Sequence, residues 1–349
     1  MTIKALIHCN ITDLKNQVCF FLIAITAQFN SLNAAEIFKS ETIHAENRSP
    51  VVQLFSLSRP DYTLNKKPNT MHAKSRMELI NYLSQTKKDN EHFIIDGETL
   101  IITNTFQHQI SNSFIMHLNI PWFRHTEGIA DNFIYEFHEL FQLPQNGRTS
   151  QNNDQLFWVL SKNDNRSISV DENKSGIGDI QIKLSWTLDS SESTQISSQL
   201  KLPTGNFKDQ TGSEKLDFGM SVIKNNPDWL KNRNWLSDLP LSVWYGAGIN
   251  YVSSVSKLDN FDAFPVVATL RTGIAWSIFS NWNIKAQLDS NTPLFDSNIR
   301  ELGWIPAQVS LATEHKLSNR FTLDFILTED LRPRATPDVI FSSGLSFQF

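Results

Sequence analysis

The side chains most able to do chemistry fall in two sets. The first is histidine. The chain carries nine, and His117, His125 and His138 share one stretch with Glu127 and Glu139. His125 with Glu127 has the residue types of a general base and its orienting carboxylate. A serine activated by such a base would give acyl hydrolysis, as in a membrane-embedded lipid hydrolase. The patterns that fix that chemistry are absent from the sequence: no G-x-S-x-G turn, no H-E-x-x-H, and no His-x-x-x-His pair on a clear helix. Leu202-Pro203-Thr204-Gly205 lacks the Gly-Lys-Ser/Thr core of a phosphate loop and reads as a strand end with a turn. The two cysteines, Cys9 and Cys19, lie near the start of the chain. No catalytic residue, metal site or cofactor is expected, and the net charge of −5 argues against a nucleic-acid partner.

The second set is a row of charged groups at alternate positions: Asp179, Lys183, Lys201, Asp217, Arg271, Lys285, Asp289, Glu314, Lys316 and Asp324, with Trp244 among small neighbours. Period-two alternation places them on one face of β-strands. In Trp282 to Asp289 one face reads Trp, Ile, Ala, Leu and the other Asn, Lys, Gln, Asp. About twelve such runs are legible: 74–84, 92–106, 112–121, 177–188, 194–203, 215–224, 239–252, 264–279, 282–292, 304–316, 320–328 and 338–349. Alternation alone fits a solvated sandwich as well as a membrane barrel.

Four further features select the barrel. Lys4 and Lys15 precede an apolar stretch, Val18 to Phe29, and Ala34-Ala35 follows, so residues 1–35 read as a secretory signal. Links between runs alternate between tight turns (Ser111-Asn112, Asp189 to Ser193, Ser280-Asn281, Ser318-Asn319) and long loops (122–176, 204–214, 253–263, 290–303, 329–337), with 225–238 the long exception among the turns. That asymmetry matches periplasmic turns and extracellular loops. Trp186, Trp229, Trp235, Trp276 and Trp282 collect beside the turns, and Trp122 and Trp304 mark the opposite girdle, where indole prefers the membrane interface. The chain ends in an apolar-alternating strand closing on Phe349, the form of signal that barrel-assembly machinery reads.

The expected architecture is therefore all-β: an antiparallel transmembrane barrel of about twelve strands over 73–349. A polar, proline-containing segment, 36–72, precedes it and is expected in the periplasm. The 122–176 loop is too long for a bare connection. Ile129, Phe133, Phe137, Leu140 and Phe141 have helical spacing and predict an amphipathic helix over 129–142, with Phe133, Phe137 and Phe141 as a lid on the extracellular mouth or an anchor in the outer leaflet. Leu156, Trp158 and Leu160 predict a strand pair in the same loop.

From Ser49 to Phe349 the chain resembles the domain of unknown function 3187 family, envelope proteins of Gram-negative bacteria. The likeness rests on Ser49-Pro50 to Leu57, Ile95-Asp96-Gly97-Glu98-Thr99, Phe137 to Pro144, Ser175-Gly176-Ile177-Gly178-Asp179, Leu200 to Gly205, Thr292-Pro293-Leu294 and Thr336-Pro337-Asp338. The Gly-Asp and Leu-Pro-Thr-Gly pair also resembles outer-membrane barrels proposed to pass aromatic compounds. The resemblance implies location and no activity. With apolar faces toward lipid, the charged row lines the interior, either paired into a filling network or arranged as a polar path for a small solute. The expected function is a non-enzymatic outer-membrane pore or uptake channel for small, hydrophobic or aromatic compounds. The alternatives are a lipid hydrolase and a plugged structural or adhesion barrel. Expected partners are outer-membrane lipid, the assembly machinery through Phe349, and the solute.

Overall fold

The computed structural model describes residues 40–128, 135–136, 139, 155–189, 193–226, 240–255, 258, 261–332 and 335–349. In chain order the strands are β1 (Met71–Lys88), β2 (Glu91–Gln109), β3 (Phe114–Thr126), β4 (Phe157–Lys162), β5 (Asn165–Val170), β6 (Lys174–Ile177), β7 (Gln181–Thr187), β8 (Thr194–Lys201), β9 (Asp217–Asn226), β10 (Leu241–Tyr251), β11 (Asp262–Ala263), β12 (Val266–Phe279), β13 (Trp282–Asn291), β14 (Phe295–Asp296), β15 (Ala307–Lys316), β16 (Phe321–Asp330) and β17 (Val339–Gln348). Twelve of them, among the described residues, close an antiparallel ring: β1, β2, β3, β7, β8, β9, β10, β12, β13, β15, β16 and β17, with β17 pairing back onto β1. Closure leaves no strand edge in the ring, which lets a sheet stand in lipid with every backbone group paired.

Alternation decides which residues face outward. Along β13, Trp282, Ile284 and Leu288 are exposed, whereas Asn283, Lys285, Gln287, Asp289 and Asn291 are buried. The same holds for β9, where Phe218, Met220 and Val222 are exposed between buried Asp217, Ser221 and Ile223. A water-soluble protein would reverse this pattern. Here the outside is apolar and the inside polar, the arrangement lipid requires. Aromatic pairs ring the tight-turn end: Phe114 stacks on Trp186 at 5.6 Å, Phe279 on Trp282 at 5.9 Å, and Phe347 meets Phe321 and Phe349. Trp229 and Trp235 lie outside the described residues.

The long-loop end carries more structure than the sequence predicts. β1 and β2 continue past the ring and are joined by the two-residue turn Asp89-Asn90, with Asp89 at φ 55°. The strand pair expected near Trp158 is β4–β5, and β4 pairs with the projecting part of β2. Gly97 sits at that junction with φ 144°, where a Cβ would lie 2.9 Å from the Leu156 side chain, so the Asp-Gly-Glu motif needs its glycine there. The Trp122 to His125 stretch, expected in the loop, is instead the top of β3, paired with β2 and β6. Most of the 129–142 helix, including Phe133, Phe137 and Phe141, lies outside the described residues.

The largest departure concerns 36–72, expected as a periplasmic segment. From Ser40 to Lys66 this segment runs inside the barrel. It rises from the tight-turn end to a short helical turn at Val52–Phe55, reverses, and descends to the start of β1. The physical reason is its composition. It offers backbone amides and alternating polar groups to a polar interior, and one apolar patch, Val51 to Leu57, to a loop cap.

Candidate functional site

The site is the interior, and it is built from inward side chains meeting this plug. Three inward amides each hold one plug residue by both backbone groups. Gln287 on β13 accepts from the Ile43 N–H at 3.0 Å and donates to its carbonyl at 2.9 Å. Asn250 on β10 does the same for Ser58 at 2.7 and 3.2 Å, and Gln195 on β8 for Thr63 at 3.0 and 2.6 Å. Each amide stands in for a neighbouring strand, and such bonds contribute about 0.5–1.5 kcal/mol apiece. Close approach also needs missing side chains. A Cβ on Gly246 of β10 would lie 2.7 Å from the Pro60 Cβ.

Charge pairs complete the contact. Asp61 of the plug is bridged by Lys183 at 3.1 Å and by Arg271, whose Nε also pairs with Asp289 at 2.7 Å. Arg48 pairs with Glu46 at 2.8 Å and Glu78 at 2.5 Å. Lys285 bridges Glu314 at 2.6 Å and donates to the Glu41 carbonyl at 2.9 Å. Lys74 and Arg76 share Asp324 at 2.7 and 3.0 Å. Near the rim, Lys201 lies between Asp179 at 2.7 Å and Asp217 at 2.8 Å, and donates to the Leu54 carbonyl at the plug tip at 3.1 Å.

That last cluster explains the Gly-Asp and Leu-Pro-Thr-Gly motifs without catalysis. The Asp179 carboxylate accepts from the Gly205 and Ser213 N–H groups at 2.8 and 3.0 Å. Thr204 Oγ1 donates to the Gly178 carbonyl and accepts from the Ile180 N–H, both at 2.8 Å. The motifs lock the β8–β9 loop onto the β6–β7 link. Above it, Leu54 and Phe55 of the plug join Phe93, Trp158, Phe261 and Phe295 in an apolar cap.

The interior residues singled out from the sequence, Trp244 included, face inward in the structure, and most engage the plug or each other. Trp244 is fully buried, donates to Gln287 Oε1 at 3.1 Å, and packs in one cluster with Ile43 and Tyr62. It fills space against the plug. The sequence reading missed Arg48, Arg59, Asp61, Lys74 and Arg76. For Arg48, Arg59 and Asp61 the signal was present in the charges of a segment otherwise read as irregular, and for Lys74 and Arg76 in the alternation of the 74–84 run.

Two of the candidate histidines, His125 and His117, are structural. His125 is fully buried, with Nε2 donating to the Gln210 carbonyl at 3.2 Å and Nδ1 accepting from Thr99 Oγ1 at 2.7 Å; its ring meets Trp158 edge-on. Both nitrogens are occupied, so it offers no base to a substrate. His117 lies 3.5 Å from Ser185 Oγ, but both are buried in the interior and Ser185 also bonds Ser197 at 2.9 Å. His138 lies outside the described residues. Among the described residues no group of acids, cysteines and histidines could hold a metal ion.

A closed twelve-stranded antiparallel barrel with an apolar outside and a polar inside has the fold of an outer-membrane β-barrel. It is similar to the crystal structure of an outer membrane channel from Pseudomonas putida F1, with TM-score 0.51 and 10% identity over 82% of this chain and 97% of that one. The CymD monoaromatic hydrocarbon channel matches with TM-score 0.39 and 9% identity over 93% and 96%, and the NanC porin with 0.41 and 6% over 79% and 98%. At these identities the likeness is one of fold. No curated protein matches the chain. The chain belongs to the family described as protein of unknown function (DUF3187), whose model matches residues 20–349.

Proposed function

We propose that the protein is a bacterial outer-membrane channel held closed by its own N-terminal segment, and that it passes small polar solutes when that segment shifts. The observation carrying this reading is the plug: Ser40 to Lys66 occupies the interior from one end to the other. The long-loop end faces outward and the tight turns face the periplasm, with lipid around the aromatic ring and the strand ending at Phe349 read during assembly. The hydrophobic or aromatic cargo that the sequence allows would meet apolar surface at the cap and at the cluster that Trp244 forms with Ile223, Ala312 and Ile326. The remaining inward positions carry mostly charges and amides, which favour a polar solute. No step requires an enzyme.

The competing reading is a structural barrel with a permanent filling, favoured by the number of plug bonds. Deleting residues 40–66 separates the two. In planar bilayers the deleted protein should conduct at least tenfold more than the intact one, while keeping the faster gel migration of an unheated closed barrel. Equal conductance from two folded proteins would remove the plug from the gating role.

A further inference from the structure

Between the plug and the wall made by β1, β2, β3 and β7 lies a cavity with about 70 Å³ of water-accessible space. One water needs about 10–15 Å³ of such space, so the cavity holds several waters or one small solute. A second cavity of about 170 Å³ lies near the tight-turn mouth, and Glu41, Lys74 and Gln107 line both.

Its lining is unevenly paired. Arg76 and Thr103 are cross-strand partners on β1 and β2, both inward. Lys74 and Arg76 share the single carboxylate of Asp324. Arg59, on the plug, hydrogen-bonds only neutral acceptors among the described residues, the Ser290 carbonyl at 3.4 Å and Asn291 Oδ1 at 3.0 Å, while the Asp289, Glu46 and Asp61 carboxylates act on its charge without bonding it. Arg59, Arg76 and Thr103 are each more than nine-tenths buried. Arg59 Nε, Arg76 Nη1 and Thr103 Oγ1 have no hydrogen-bond partner among the described residues. The other cations at the cavity are matched: Lys183 is held by Asp61, and Arg48, just beyond, by Glu46 and Glu78. Buried guanidinium N–H groups without acceptors are costly, and a guanidinium presents parallel donors suited to an oxyanion.

We infer that this cavity is a binding station for a small oxyanion, a phosphate or a carboxylate, held by Arg76 and Thr103 from the wall and Arg59 from the plug. The inference deepens the channel reading and rests on it for the solute class: the solute is an anion or carries an anionic group. Because the station is half plug and half wall, an occupant bridges the two and favours the seated plug.

The test is equilibrium binding to the full mature protein in detergent, with inorganic phosphate and acetate as probes against a chloride background of equal ionic strength. Wild type should bind one probe saturably, near one equivalent. Phosphate alone would mark a phosphate station, and acetate alone a carboxylate one. Arg76→Met should weaken binding at least tenfold, and Thr103→Val several-fold, both with the closed-barrel gel shift intact. Lys215→Gln, outside the cavity, should bind as wild type. If Arg76→Met loses the gel shift, Thr103→Val and Arg59→Met decide. The inference is overturned if folded wild type binds neither probe saturably, or if the folded cavity variants bind as wild type does. Binding does not depend on conduction, so a protein that binds but never conducts would contradict the channel reading alone.

Discussion

Replacing Asp61 with Asn unseats the plug while the barrel remains folded. Asp61 is the plug's carboxylate between two buried wall cations, Lys183 and Arg271. The substitution keeps the side chain's shape and removes its charge. Arg271 retains Asp289, but Lys183 has no other carboxylate partner among the described residues. Removing one member of a buried ion pair costs about 3–5 kcal/mol, because the charge left behind is desolvated and unpaired. The ring's own hydrogen bonds do not pass through Asp61, so the loss falls on the seating of the plug. A shift of that size changes the seated-to-released ratio by roughly a hundredfold or more. Single-channel recordings should show frequent openings, and a protease added at the tight-turn side should cut within 40–66 faster than in wild type. Unchanged current and unchanged cleavage would mean that the amide grips at Ile43, Ser58 and Thr63, with the Arg48–Glu78 pair, hold the plug without Asp61.

Replacing Lys201 with Met acts at the other end and on the barrel itself. Lys201 separates Asp179 from Asp217 and also reaches the plug tip at Leu54. Without it, two buried carboxylates face each other across an uncharged side chain, again a loss of about 3–5 kcal/mol. The β8–β9 loop, held to Asp179 through Gly205 and Ser213, should loosen. The unfolding midpoint in urea should fall. The double variant Lys201→Met/Asp217→Asn should recover part of the loss, because it removes one of the two repelling charges. A single variant as stable as wild type would show that this cluster is solvated and does not bind the rim together.

Much of the wall was legible in the sequence, and the physical reason is period two. Each inward position on β13, from Asn283 to Asn291, could be read from alternation alone, because a membrane strand must segregate lipid and lumen faces residue by residue. The plug was not legible. Its residues form no ladder with one another or with the wall, and side-chain amides hold them, as Gln287 holds Ile43. Such a partner is distant in sequence and leaves no periodic trace. Val51 to Leu57 was visible as an apolar patch, but its burial against Phe93, Trp158 and Phe295 depends on loops brought together only by closure of the ring. His125 shows the opposite error. Its residue type invites chemistry, and its Thr99 and Gln210 partners, 26 and 85 residues away in sequence, show it to be a buried structural group.

Whether the plug is a movable closure can be decided by tethering it to the wall. Ser58 and Gly219 offer the pair, since a Cβ at Gly219 lies 2.5 Å from that of Ser58 and its other close neighbours are atoms of the Asn250 side chain, not backbone. A disulfide spans about 3.8 Å between Cβ atoms, so about 1.3 Å of relaxation, with Asn250 turning aside, seats Ser58→Cys opposite Gly219→Cys. The chain's own cysteines, Cys9 and Cys19, both precede the plug. The measurement is current through the double variant in one bilayer, oxidised and then reduced. A movable plug gives a silent oxidised protein whose openings appear on adding reductant. Equal current in both states, with the disulfide verified, would show that the plug is not the gate.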